Sequence, residues 1–353
     1  MPKTVHSEVI LPPGATTAWS GDHHRLHRQL RRDPSLLPAG KTLLLAVSGG
    51  QDSMALVALL GPLREQHRWR LQLWHGDHRW RPESGNQARA LAEWAAARNL
   101  PLVVERWERT AAERPSEAAA RSWRYERLLA QAQQLRCCRV VTGHTATDRA
   151  ETLLFNLVRG SHRRGLASLR RQRCLGPGVD LARPLLDFSR EDTGRICRAL
   201  DLPIWCDASN ADPAFSRNRL RLEVIPVLND LHPGADRRLA RTAEQLAAEE
   251  AASQELWQLA LRQLEDPTPT GEESVGLQRT GLCNLQRITQ MNLLQSWLER
   301  GTGRRWPSPT LDVILDGLNG QRGQGRVDLG DGWQLVWQGP RLWLRRDDAE
   351  SAA

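Results

Sequence analysis

The chain is 353 residues long, enough for two or three domains that each bury a core, which excludes a binding peptide or a disulfide-stapled miniprotein. With 40% hydrophobic and 25% charged residues it has an ordinary globular composition, and its longest apolar runs, such as Leu43 to Val47, are far too short to span a bilayer. Lys+Arg 49 against Asp+Glu 41 leaves a net charge of +8, which points toward a polyanionic partner. Only Lys3 and Lys41 are lysines, so an arginine-favouring coding bias would produce the same balance. The six cysteines (Cys137, Cys138, Cys174, Cys197, Cys206 and Cys283) have no Cys-x-x-Cys spacing, which fits a reducing compartment. Met1 to Trp19 has one early lysine and no apolar core, so no secretory signal is read and a cytoplasmic location is expected.

Between Thr42 and about Asp207, short apolar runs alternate with helical patterns, the signature of βαβ units around a parallel sheet. The expected strands are Leu43 to Val47, Trp69 to His75, Leu102 to Val104, Arg139 to Thr142 and Val179 to Ala182. The expected helices are Ser53 to Arg64, Gly85 to Asn99, Ser116 to Leu135, with Ser116 as N-cap, and Asp148 to Val158. His23, His24 and His27 with Asp22 read as a solvated basic helix, and His75 with His78 as a nucleotide-proximal loop, rather than zinc ligands. Ala235 to Glu265 reads as one long helix or a helical hairpin, and the Pro/Thr/Gly stretch Asp266 to Ser274 as a linker. Helices near Leu285 to Arg300 and Thr310 to Leu318 follow, then short antiparallel strands from Arg326 to Arg346. The expected fold is therefore α/β, a Rossmann-like parallel sheet followed by a smaller, mainly helical C-terminal domain ending in short antiparallel strands.

The most informative segment is Leu43 to Ser53, a buried strand that runs into Ser48-Gly49-Gly50-Gln51-Asp52-Ser53 and then a helix. Glycines let backbone N–H groups approach phosphate oxygens, serines add hydroxyl donors, and the helix start favours an anion. No lysine follows the glycines, so the loop does not match G-x-x-x-x-G-K-[ST] and a kinase or GTPase is disfavoured. Ser-Gly-Gly-x-Asp-Ser after the first strand instead resembles the PP-loop of N-type ATP pyrophosphatases. That resemblance implies that Ser48, Gly49, Gly50, Gln51, Asp52 and Ser53 bind ATP.

Further blocks are similar to one family within that superfamily, the tRNA(Ile)-lysidine synthetases. They are His75-Gly76-Asp77-His78 with Arg81 to Ser84; Glu117 to Tyr125; Thr142-Gly143-His144-Thr145-Ala146-Thr147-Asp148-Arg149-Ala150-Glu151-Thr152 with Arg159-Gly160-Ser161 and Gly165-Leu166; Arg183 to Leu186; Asp207 to Asn210; and Arg217-Asn218-Arg219-Leu220-Arg221. Together they cover Thr42 to about Leu228. Thr145, Thr147, Arg149 and Arg79-Trp80 depart from the family's pattern, and Asp148 is the retained member of its aspartate pair.

The resemblance implies an enzyme that uses ATP to adenylate C2 of the wobble cytidine of a CAU-anticodon tRNA(Ile), releasing pyrophosphate, and then joins the ε-amine of free L-lysine there, releasing AMP. Asp52, His144, Asp148 and Glu151 are then the catalytic candidates, with Asp52 also a ligand for Mg²⁺; Asp148 and Glu151 share a helix face at i, i+3. Arg121, Arg124, Arg159, Arg217, Asn218 and Arg219 are candidates for tRNA contact. Arg159, Arg163, Arg164, Arg170, Arg171 and Arg173 fall in a stretch without an acidic residue, read either as a solvated loop or as a phosphate-backbone contact. The expected division is residues 1–225 as the PP-loop catalytic domain, 226–274 as helical connector and linker, and 275–353 as a tRNA-recognition domain. Neither a membrane nor an obligate protein partner is expected. A PP-loop tRNA thiolase and a tRNA-binding protein with a degenerate nucleotide site are the rival readings; thiolases depend on cysteine clusters, which the sequence lacks.

Overall fold

The computed structural model describes residues 19–78, 84–108, 116–205, 216–266, 276–320 and 322–346. Arg79 to Glu83, Cys206, Asp207 to Asn210 and residues 267–274 of the expected linker lie outside them, as does the side chain of Glu117. The chain divides into two compact units, Met1–Ala247 and Ala248–Ala353, so the division falls within a long helix.

The first unit runs α1 (Gly21–Arg32), β1 (Thr42–Ala46), α2 (Gln51–Leu60), α3 (Arg64–His67), β2 (Arg70–Asp77), α4 (Ser84–Ala96), β3 (Leu102–Arg106), α5 (Glu117–Gln134), β4 (Arg139–Thr142), α6 (Ala146–Val158), α7 (Arg163–Leu166), β5 (Gln172–Gly176), β6 (Val179–Ala182), α8 (Arg190–Ala199), α9 (Ser216–Arg219), a π-helical turn (Leu220–Val224) and α10 (Ile225–Leu231). It closes with the first turns of α11 (Ala235–Leu264), which is a single helix of 30 residues rather than a hairpin.

The six strands lie in the order β3-β2-β1-β4-β6-β5, all parallel except β5, which pairs antiparallel with β6. In β1, Leu43, Leu44 and Leu45 are each 0% exposed because both faces of the sheet are covered. Leu43 and Leu45 join the core formed with Met54, Leu56 and Leu60 of α2 and Leu26 and Leu30 of α1. Leu44 faces the other core, with Trp74, Val140 and Leu128 of α5. That two-sided burial is what a continuous apolar run encodes. Ser116 caps α5 by accepting a hydrogen bond from the Ala119 amide at 3.1 Å.

Two expectations about α1 and the arginine stretch are corrected by packing. His23 is 2% exposed and its Nε2 donates to the Ala58 carbonyl at 3.3 Å, so α1 is not solvated all round; His23, Leu26 and Leu30 form its buried face. Arg171 has counter-ions from outside the stretch: Glu244 at 2.7 Å and Asp187 at 2.7 Å. His75 sits in strand β2, as the expected strand Trp69 to His75 has it.

The second unit contains the end of α11, β7 (Glu265–Asp266), β8 (Gly276–Gln278), α12 (Arg279–Cys283), α13 (Arg287–Thr302), α14 (Ser308–Asn319), β9 (Gln324–Gly330), β10 (Trp333–Gln338) and β11 (Arg341–Arg346). Its antiparallel sheet, in the order β7-β8-β11-β10-β9, pairs Leu335 with Leu344 and Trp337 with Leu342. These residues share a core with Leu293, Trp297, Ile314 and Leu318 of α13 and α14. No helix among the described residues is long and apolar enough to cross a membrane.

Candidate active site

Strand order reverses about β1, which has β2 on one side and β4 on the other, and a cavity of about 690 Å³ opens at the carboxyl ends of these strands. The loop after β1 forms one wall. Gly49 has φ +82°, and a Cβ there would stand 3.1 Å from the Trp205 ring, so the position needs glycine on both counts. Ser53 Oγ donates to the Gly50 carbonyl at 2.9 Å and lies 3.2 Å from Ser48 Oγ, while the Gly50 amide donates to Ser48 Oγ at 3.2 Å. The hydroxyls thus fix the curl of the loop. Gly143, after β4, lets that strand approach α2, because a Cβ there would lie 2.7 Å from the Asp52 carbonyl oxygen.

Asp52 faces the cavity from the first turn of α2 and accepts bonds from Arg190 Nη1 at 2.7 Å and from the Thr193 hydroxyl. Burial and the neighbouring Asp148 carboxylate push its pKa up, against the pull of Arg190 and Thr193. Gln51 also lines the cavity and ties the loop to α8, donating to the Arg190 carbonyl at 2.6 Å and to Thr193 Oγ1 at 2.9 Å.

A neighbouring part of the lining comes from the end of β4 and the start of α6. His144 Nδ1 lies 2.8 Å from Thr142 Oγ1, and burial drives the imidazole pKa down to about 3, so the ring is neutral at pH 7. Asp148 Oδ2 accepts from both the amide and the hydroxyl of Thr145 at 2.8 Å, and Oδ1 accepts from Arg221 Nη2 at 3.2 Å. Burial opposes its charge, but His144 when its ring is protonated, and Arg221 and Thr145 throughout, outweigh burial and hold Asp148 below the usual carboxylate range.

Glu151, expected beside Asp148, is buried behind Arg221, which grips its carboxylate through Nε at 2.6 Å and Nη2 at 2.8 Å. Burial pushes Glu151 up to about 7 despite that pair. Arg221, not Glu151, lines the cavity.

The remaining candidates divide. Arg124 lines the cavity, and Arg121 on the same helix lies 5.0 Å from the Tyr125 ring centre. Arg159 and Arg217 both lie against the Phe155 ring, at 5.1 and 5.6 Å, outside the cavity lining. Asn218 is buried, and Arg219 is exposed and paired with Glu223 at 2.9 Å; neither lines the cavity. Arg190, Tyr125 and Arg221, for which the sequence carried no expected role, also line the cavity. Arg221 belongs to a family block already visible, whereas Arg190 was signalled only by the capping pattern Ser189-x-x-Asp192 that starts α8.

A family model described as the PP-loop domain matches residues 23–228. The chain is 47% identical over 332 residues to a tRNA(Ile)-lysidine synthase of Parasynechococcus marenigrum strain WH8102, covering 93% of this chain and 96% of the relative. The chain belongs to the tRNA(Ile)-lysidine synthase family. The tRNA(Ile)-lysidine synthase of Prochlorococcus marinus strain SARG is 39% identical over 90% of this chain and 94% of its own length. Among solved structures, the U34-tRNA thiolase NcsA of Methanococcus maripaludis shares the fold at 16% identity, with a TM-score of 0.55 over 64% of this chain and 78% of that one.

The departures from the tRNA(Ile)-lysidine synthase blocks at 145, 147 and 149 face inward, away from the cavity. Thr145 is the N-cap of α6, accepting from the Asp148 amide while its own groups bind that residue's carboxylate. Thr147 donates to Asp236 Oδ2 at 3.0 Å and accepts from the Arg190 amide at 3.0 Å. Arg149 donates to the Leu169 carbonyl and pairs with Glu244 at 3.3 Å. Arg79 and Trp80 lie outside the described residues.

Proposed function

We propose that the chain joins free L-lysine to C2 of the wobble cytidine of a CAU-anticodon tRNA(Ile), at the expense of ATP and through an adenylated tRNA. The observation that supports this reading is the cavity itself, which is lined by both the Ser48 to Ser53 loop and the Asp148 carboxylate. The two half-reactions need those two walls. In the first, the cytidine O2 attacks the α-phosphorus and pyrophosphate leaves. In the second, the lysine ε-amine attacks C2, the C2–O bond breaks, AMP leaves with the former O2, and the amine gives up a proton.

The Ser48 to Ser53 loop is suited to hold the β and γ phosphates through amides and hydroxyls, leaving the α-phosphorus open. Mg²⁺ fits Asp52, since this ion is held by one or two carboxylates together with phosphates, and the described residues contain no cluster of three or more His, Cys, Asp or Glu side chains that would cage a metal alone. When bound it would neutralise charge on the phosphates. His144, being neutral, can exchange a hydrogen bond with the cytidine without repelling a cation. Asp148 is placed to attract the lysine ammonium and to take its proton. Glu151 acts at one remove by fixing Arg221.

Residues 275–353 are assigned to tRNA selection, because phosphate contacts position an RNA without specifying which one it is. Incubating the chain with labelled ATP, lysine and unmodified tRNA(Ile) tests the whole reading. AMP release and a lysidine nucleoside should both require lysine. Dependence on a sulfur donor instead would indicate a thiolase, and tRNA binding without AMP release would indicate a degenerate site.

A further inference from the structure

The glycine loop carries no lysine, so any side-chain cation for a polyphosphate held there has to come from another element. Arg221 is already committed: its Nε and Nη2 bind Glu151 and Asp148, and its side chain is only 19% exposed. Arg190 is arranged differently. Its side chain is 38% exposed at the cavity wall, and among the described residues only Nη1 meets an acceptor, Asp52 Oδ2 at 2.7 Å. The other guanidinium donors meet no acceptor among the described residues, on a residue that lines the cavity.

The main chain of Arg190 is held from both sides. Its amide donates to Thr147 Oγ1 at 3.0 Å, and the Thr147 hydroxyl is itself anchored on Asp236. Its carbonyl accepts from Gln51 of the loop at 2.6 Å. A guanidinium launched from so fixed a base, next to the anion-binding loop, is pre-organised for bidentate contact with phosphate oxygens.

We propose that Arg190 is a triphosphate-binding residue, the cation that α8 supplies to a loop without a lysine. It remains paired with Asp52 through Nη1 and offers its other donors to the phosphate chain. The inference rests on the ATP reading above.

The test is calorimetric titration of the full chain with ATP and with adenosine, in EDTA so that metal binding at Asp52 does not contribute. Arg190→Ala should weaken ATP about 10- to 100-fold, the range of charge-assisted hydrogen bonds, and leave adenosine within about twofold. Arg190→Lys, which keeps the charge without the fork, should lose about 3- to 10-fold for ATP and guards against misfolding of the alanine variant.

Neutralisation of Asp52 is distinguished from phosphate contact by repeating Arg190→Ala in an Asp52→Asn background. A persistent ATP-specific loss supports the proposal, and a loss under about twofold there overturns it. Unchanged ATP affinity in the single variant, or equal losses for ATP and adenosine, would overturn it too, with the ATP reading intact. If the unaltered chain fails to bind ATP in magnesium, the ATP reading falls and takes this inference with it.

Discussion

Replacing Arg221 by Met keeps an apolar stem and removes the guanidinium that binds Glu151 twice and Asp148 once. Breaking a buried ion pair from one side costs about 3–5 kcal/mol when the remaining charge has no escape. Glu151 has an escape, because burial already pushes it up to about 7 and it can take a proton. Without Arg221 its folded-state pKa rises further above the unfolded value near 4.5, so the folded state binds the extra proton over a wider range. Stability from such a raised acid is present below the unfolded pKa and is lost as pH rises through the folded one. Each pH unit above about 7 therefore adds up to about 1.4 kcal/mol to the cost of the variant. The side chain of Arg221 is 19% exposed and that of Glu151 4%, so some screening reduces the total. The expected destabilisation is about 1–2 kcal/mol at pH 6 and about 3 kcal/mol at pH 8, measured by urea unfolding. Adding Glu151→Gln should recover at least half of the loss at pH 8 and abolish its pH dependence. An equal loss at both pH values, or strict additivity of the two substitutions, would refute the assignment of Glu151 as the buried partner that Arg221 keeps charged.

Asp52→Ala should abolish AMP release while tRNA binding, followed by filter retention, stays within about threefold; unchanged AMP release would remove Asp52 from the phosphate site. Asp148→Ala should raise the lysine concentration needed for half-maximal AMP release by about tenfold or more, the scale of one lost charge-assisted contact, and a wild-type requirement would reduce Asp148 to a helix-terminal charge. Thr147→Asp would bury a second carboxylate against Asp236, where the hydroxyl now sits 3.0 Å from Oδ2, and should cost about 2–3 kcal/mol in urea unfolding. Asp236→Ser in that background should restore most of it, and a neutral effect of Thr147→Asp alone would show that the position tolerates either residue. A fragment of residues 1–247 should bind ATP yet discriminate poorly between tRNA(Ile) and a methionine tRNA with the same anticodon; full discrimination in competition at fixed salt would place recognition in that unit.

What the sequence made legible was local. The apolar run Leu43 to Val47 reads as a strand covered on both faces, and the Ser-Gly-Gly-x-Asp-Ser that follows it as a phosphate-type turn into a helix, so β1, its loop and α2 were readable together. Strand β5 was not, since Gln172-Arg173-Cys174-Leu175-Gly176 lies at the sheet edge, where little of one face is buried and no alternation results. Helix α8 was hidden for a different reason: its buried face includes Asp192, Thr193 and Gly194, so polar bonds to α2 and α11 replace the apolar stripe that periodicity detects. The site shows the same limit. Asp148 and Glu151 share a helix, which spacing revealed, but the arginine between them lies 70 residues from Glu151, and Thr147 meets Asp236 across 89 residues. Such pairings are set by the fold, not by any neighbouring residue.

If the wobble cytidine is adenylated on its O2 before lysine arrives, an oxygen label follows that bond directly. Unmodified tRNA(Ile) carrying oxygen-18 at O2 of the wobble cytidine is incubated with the chain, ATP, Mg²⁺ and lysine, and the released AMP is weighed by mass spectrometry. One heavy oxygen is expected in the phosphate of AMP for each lysidine formed. AMP of ordinary mass formed alongside lysidine would mean that the oxygen leaves by another route, and the adenylated intermediate would have to be abandoned.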